Sequence, residues 1–131
     1  GKYIEPVKKQ EVSHLEGGNG EYRYLKLMSG KKMEFDFNPF EKVVVLSRNA
    51  FENWIPNEES YRIRVSRGSK IEGTYFFRTE RSEVSIFKED KEIVPGKRRT
   101  CEIDNIKKDE PYFIELLDKG RTVYVRLIGY E

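Results

Sequence analysis

The chain holds one histidine, His14, and one cysteine, Cys101. Nucleophilic catalysis by Ser or Cys needs a base within hydrogen-bond reach of the nucleophile. Zinc needs about four His, Cys or carboxylate ligands. His14 lies in a charged stretch near the N terminus, far in sequence from Cys101, so neither chemistry is expected, and no metal or cofactor is implied. Cys101 sits in Arg99-Thr100-Cys101-Glu102-Ile103, in phase with Ile103. That phase predicts a small buried thiol. A reactive thiol would need an electropositive pocket, and Arg98 and Arg99 are the nearest cations. A single cysteine excludes an intramolecular disulfide, which favours a reducing compartment without excluding export.

Carboxylates are plentiful. Glu34 and Asp36 share the outward phase of one run, and Asn38 continues it. Oxygen ligands at that spacing could contribute to a Ca²⁺ site, which takes about six to eight oxygens. A solvated strand face explains the same pattern with fewer assumptions. Two carboxylates on facing strands could also cleave a glycosidic bond, but nothing in the spacing brings a pair to one cleft. The expectation is therefore a protein that is not an enzyme.

Basic residues say more. Arg62, Arg64, Arg67 and Lys70 follow one another with no acid between them, and Arg62 and Arg64 share a face. Lys97-Arg98-Arg99 is a second cluster. Phe76 and Tyr124 fall opposite the expected core phases. Arginines beside exposed aromatics on a sheet can bind single-stranded nucleic acid. Lys plus Arg is 25 against 23 Asp plus Glu, however, a net charge of +2. That balance predicts no strong field and makes nucleic acid the lesser expectation. Cross-strand pairing with Glu72, Glu83 and Glu102 would absorb the positive charge.

The stretch from Asn49 to Ser60 reads as the longest irregular segment and carries the only tryptophan, Trp54. Loops hold function disproportionately. Phe51 and Trp54 could stack on a sugar ring or anchor a protein partner. Asn53 and Asn57, with Glu58 and Glu59, would supply hydrogen bonds. The plainer role for Trp54 is to cap one end of the core.

These residues must be positioned by strands. The chain has 8 Phe, 8 Tyr and a single alanine, Ala50, a composition that suits strands over helices. Apolar and polar residues alternate in Tyr61–Ser66, Ser82–Ile86, Tyr112–Leu116 and Val123–Leu127, the period of a strand with one face buried. Met33, Phe35 and Phe37 point one way, and Glu34 and Asp36 the other. Val43-Val44-Val45-Leu46 reads as a central strand covered on both faces. Tyr112–Leu117 and Thr122–Tyr130 read as a closing hairpin around Gly120. With turn signals about every 8–12 residues, the pattern predicts an all-β domain. The specific expectation is an antiparallel β-sandwich, jelly-roll-like, with about eight strands. Residues 1–20 read as a flexible lead-in or edge strand, and 21–131 as a single domain. Charged residues make up 37% of the chain, and it holds one glutamine, a balance reported for hyperthermophile proteins. The chain begins at Gly1 instead of Met, as a processed or excised domain would. No apolar run approaches the ~18 residues that would span a bilayer.

The body resembles bacterial cell-envelope β-sandwich domains at the level of strand patterns. The resemblance lies in Tyr22–Leu27, Val43–Arg48, Tyr61–Val65, Val94-Pro95-Gly96-Lys97 and the two last strands. It implies export to the periplasm or cell surface and a binding or scaffolding role, and it carries no catalytic residues with it. The function expected is a non-catalytic binding or assembly module for a glycan or protein partner. Phe51, Asn53, Trp54, Asn57, Arg62 and Arg64 would make the contacts. A sheet-based nucleic-acid binder and a viral or shell structural protein are the alternatives.

Overall fold

The computed structural model describes residues 1–18, 20–52, 56–82 and 85–131. The described residues form twelve strands and no helix: β1 Lys2–Tyr3, β2 Val12–Gly17, β3 Gly20–Met28, β4 Lys32–Phe35, β5 Lys42–Phe51, β6 Glu58–Arg67, β7 Lys70–Glu80, β8 Ser85–Phe87, β9 Val94–Pro95, β10 Arg99–Ile103, β11 Tyr112–Leu116 and β12 Thr122–Tyr130. No helix among them is long and apolar enough to cross a membrane. The fold is all-β, in two antiparallel sheets. One runs β10-β5-β12-β3-β2-β8, with β1 added on β12 and β9 on β5. The other runs β4-β11-β6-β7.

Both sheets feed one apolar core. Leu25, Leu27, Val43, Val45, Cys101, Ile103, Val123, Val125 and Leu127 enter it from the eight-stranded sheet. Met33, Phe35, Tyr61, Ile63, Val65, Tyr112, Ile114 and Leu116 enter from the four-stranded sheet. Each contributing strand gives every second side chain, as the pleat requires. The core is fastened by a polar link: the Ser47 and Tyr61 hydroxyls, one from each sheet, hydrogen bond at 2.8 Å. Burial pushes the Tyr61 phenol up to about 12, against the smaller opposing effect of that bond.

Four expectations change here. The run Val43–Leu46 lies in the central strand β5, but its side chains alternate: Val43 and Val45 are buried, while Val44 and Leu46 are half-buried. The last two strands do not pair with each other. β11 pairs with β4 and β6, and β12 with β1, β3 and β5. Both spend their apolar phase on the shared core, so the turn between them carries the chain from one sheet to the other, with Gly120 at φ 68°. Residues 1–20 contain two strands, and β2 lies between β3 and β8 in the sheet. β2 and β3 pair antiparallel from Val12 opposite Leu25 to Gly17 opposite Gly20. Tyr124, expected outside the core, is only 1% exposed. It packs with Leu15, Tyr24 and Phe87 in a second cluster on the other face of the eight-stranded sheet.

A polar clasp joins β2 to the chain that follows β8. Glu89 accepts the His14 backbone N–H at 2.7 Å and engages the His14 ring Nδ1 with its other oxygen. Desolvation raises the Glu89 pKa, but these hydrogen bonds outweigh it, and the carboxyl titrates below its ordinary value. A carboxylate with a lowered folded-state pKa adds stability above its unfolded value, lost as pH falls through the folded one. Thermal melts at about pH 6 and about pH 3 are therefore expected to differ less for Glu89→Gln than for the wild type. At the opposite end, the Phe40 ring lies so close to Gly129 that a Cβ there would enter the ring. Gly129→Ala is expected to cost roughly 1–3 kcal/mol through overpacking, read as a lower urea midpoint at unchanged slope.

Candidate binding surface on the four-stranded sheet

The hairpin β6–β7 presents the residues that the sequence singles out. Tyr61, Ile63 and Val65 take the core phase of β6, which leaves Arg62 and Arg64 on the outer face. Arg62 stands opposite Phe76 of β7, and Arg64 opposite Thr74 and, on its other side, Glu115 of β11. Phe76 is 75% exposed, the most exposed large apolar side chain among the described residues. It lines a shallow cavity of about 280 Å³ with Arg62, Phe77, Arg78 and Asp118.

Asp118 fixes Arg62. Its Oδ2 accepts the Arg62 backbone N–H at 2.7 Å, and its Oδ1 accepts Arg62 Nε and Nη2 at 3.2 and 3.1 Å. This fork holds the guanidinium beside the Phe76 ring position with one edge committed. Arg78 pairs with Glu58 at 2.7 Å. Arg64 is half-buried, and its Nε has no hydrogen-bond partner. The result is a flat aromatic platform bordered by braced polar groups, an arrangement suited to stacking a ring and bonding its hydroxyls.

The other sequence-predicted residues are dispersed. Asn53 and Trp54 lie outside the described residues. Phe51 is fully buried at the end of β5, with the Arg81 guanidinium 5.1 Å above its ring. It is a core residue and not an exposed anchor, because β5 continues its buried phase to that position. The segment read as irregular from Asn49 to Ser60 is shorter: β5 runs to Phe51, and β6 begins at Glu58. Asn57 is exposed, and its carbonyl accepts the Arg81 backbone N–H at 3.2 Å.

The basic cluster 97–99 does not extend this face. Lys97 pairs with Glu80 at 2.7 Å, and Arg99 Nε donates to the Arg78 carbonyl at 2.8 Å. Arg98 lines a different cavity, against the eight-stranded sheet. Asp36 accepts the Asn38 backbone N–H at 2.9 Å, and Asn38 exchanges hydrogen bonds with Asp109 at 3.2 and 3.3 Å. No group of three His, Cys, Asp or Glu among the described residues could hold a metal. Burial pushes the Cys101 thiol up to about 12, which keeps it protonated and unreactive at neutral pH.

Comparison of the chain with protein-family models and with curated proteins found no match.

Sequence reasoning missed Asp118, which lies 56 positions from Arg62. No local signal marks it, since it reads as an ordinary turn acid. Asp118→Ala is expected to cost about 1 kcal/mol, allowing for the partial exposure of the pair. A chemical denaturation curve, paired with Arg62→Ala and the double variant, measures it: the double variant should lose less than the sum.

Proposed function

We propose that this chain is a non-catalytic binding module, built as a jelly-roll-like β-sandwich, that recognises a glycan through the outer face of its four-stranded sheet. The observation that carries the reading is Phe76, three-quarters exposed beside a guanidinium held by Asp118. An aromatic ring exposed at the middle of a long strand offers a partner an apolar face to stack on. A sugar ring offers C–H bonds to the aromatic face and hydroxyls to Arg62, Asp118 and Arg78. Asn57, exposed just before β6, is proposed as a further contact, and so are Asn53 and Trp54, which lie outside the described residues. The strand-pattern resemblance supports a bacterial envelope or surface setting.

A protein partner has one observation in its favour. Among the described residues β7 pairs only with β6 along most of its length, and Ile71 on it is 54% exposed. Such an edge can accept a strand from another chain.

The test is binding of the purified chain to glycans, cell-wall polymers and oligonucleotides, at low and at high salt, beside Phe76→Ala and Trp54→Ala. Glycan binding that survives high salt and falls by roughly tenfold or more in Phe76→Ala is expected. Phe76→Ala should leave the melting temperature nearly unchanged, since the side chain is exposed. Oligonucleotide binding that collapses with salt would replace this reading with nucleic-acid recognition. Binding lost only in Trp54→Ala would move the site to the 49–60 segment.

A further inference from the structure

On the far side of the molecule, the eight-stranded sheet carries a cavity of about 380 Å³ whose charged lining, among the described residues, is all of one sign. Arg48 from β5, Arg126 from β12 and Arg98 between β9 and β10 line it. No carboxylate appears among its described lining residues. Arg126 stands directly across from Leu46. Arg48, two residues along the same strand, is therefore its diagonal neighbour on one face, about 7–8 Å away.

What holds these arginines bears on their charge. Several other arginines meet carboxylates: Arg62 with Asp118, Arg67 with Glu72 and Glu110, Arg121 with Glu59. Here the partners are neutral. Arg48 Nε donates to the Tyr24 hydroxyl at 3.2 Å, and its Nη1 to the Gly96 carbonyl at 3.0 Å. Arg126 Nη1 donates to the Arg23 carbonyl at 3.1 Å, and its guanidinium lies 5.1 Å from the Tyr3 ring and 5.6 Å from the Tyr22 ring. Arg98 meets no side-chain partner among the described residues. Carbonyls, phenols and ring faces orient a guanidinium but leave its charge uncompensated. Three such charges round one cavity repel one another, and an anion placed among them relieves that repulsion.

The rest of the lining completes an anion site. The Ser82 and Ser85 hydroxyls hydrogen bond to each other at 3.2 Å, which leaves one O–H of the pair free to donate to an oxyanion. The Tyr22 ring is half exposed at the rim. Leu15 and Leu46 give an apolar wall. The volume lies within the range of small-ligand sites and exceeds what a bare phosphate fills.

We propose that this cavity binds an oxyanion carried on a small polar molecule, with a sugar phosphate as its best fit. The anion sits between Arg48, Arg98 and Arg126 and accepts from the free hydroxyl of the serine pair. The sugar lies against Tyr22 and the leucine wall. The site is independent of the glycan face, since it shares no residue with it. The shared chemistry of phosphate, sulfate and carboxylate is distinguished by the choice of probe.

The experiment is an amide chemical-shift titration of the intact chain at constant ionic strength. The probes are inorganic phosphate, sulfate, glucuronate, glucose 6-phosphate and glucose, on wild type, Arg98→Gln, Arg126→Gln and Phe76→Ala. Saturable shifts at Gly17, Gly18, Ser85 and Arg98 are expected with phosphate, tighter with glucose 6-phosphate and absent with glucose. Arg126→Gln should weaken binding by roughly tenfold or more, because a charge-assisted hydrogen bond is lost. Arg98→Gln, which disturbs no internal contact, should weaken it several-fold, and Phe76→Ala should leave it unchanged. Linear shifts that equal those from added chloride would overturn the proposal. So would affinities unchanged in both arginine variants. Sulfate or glucuronate binding more tightly than phosphate would overturn the choice of phosphate, and glucose binding as tightly as its phosphate would overturn the oxyanion itself.

Discussion

The structure depends on one apolar core that both sheets must share. Neither sheet can bury its own face alone, so successive strands repeatedly leave one sheet for the other, as between β5 and β6 and between β11 and β12. Tyr61 shows the constraint at one residue. Its ring fills the core from the four-stranded sheet while its hydroxyl reaches Ser47 on the opposite one. A buried hydroxyl without that partner would carry the full cost of desolvation. The pleat then fixes everything else: when Tyr61, Ile63 and Val65 go inward, Arg62 and Arg64 must go outward.

The outward phases of the two sheets are used differently. On the four-stranded sheet, Arg62, Arg67 and Arg78 are braced by carboxylates, and the notable feature is an apolar ring left in water. On the eight-stranded sheet, the other face is partly covered by a second cluster around Tyr24, Phe87 and Tyr124, and the unusual feature is uncompensated positive charge. The first surface favours a ligand with C–H faces and hydroxyls. The second favours an anion. With a net charge of only +2, the whole molecule exerts no strong field, so attraction for either ligand must come from local arrangement. Arg48 and Arg126 illustrate this, since neighbouring carbonyls and rings hold them in place without cancelling their charge.

Strand periodicity was legible because it is local. The inward phase of Met33, Phe35 and Phe37, the outward phase of Arg62 and Arg64, and the burial of Cys101 all follow from alternation along a few residues. Strand partnership was not legible. Gly120 between two alternating runs reads as a hairpin turn, yet the same turn residue serves a crossing between sheets. Phe51 reads as loop because Asn49 and Ala50 weaken the strand pattern, while pairing with Val94 keeps β5 extended to that point. Tyr124 reads as exposed because a strand pattern knows only two faces, core and solvent. Here the second face has a cluster of its own.

The sequence by itself determined that the chain is all-β, which residues of each strand share a face, and that its charge is nearly balanced. These depend on side-chain type and a period of two, both present in a short window. Tertiary structure decided which strands meet, and with that which arginines meet carboxylates. Asp118 finds Arg62 across 56 positions, and Arg48, Arg98 and Arg126 converge from three separate segments on one cavity. No window along the chain contains such sites, because their parts become neighbours only when the shared core closes.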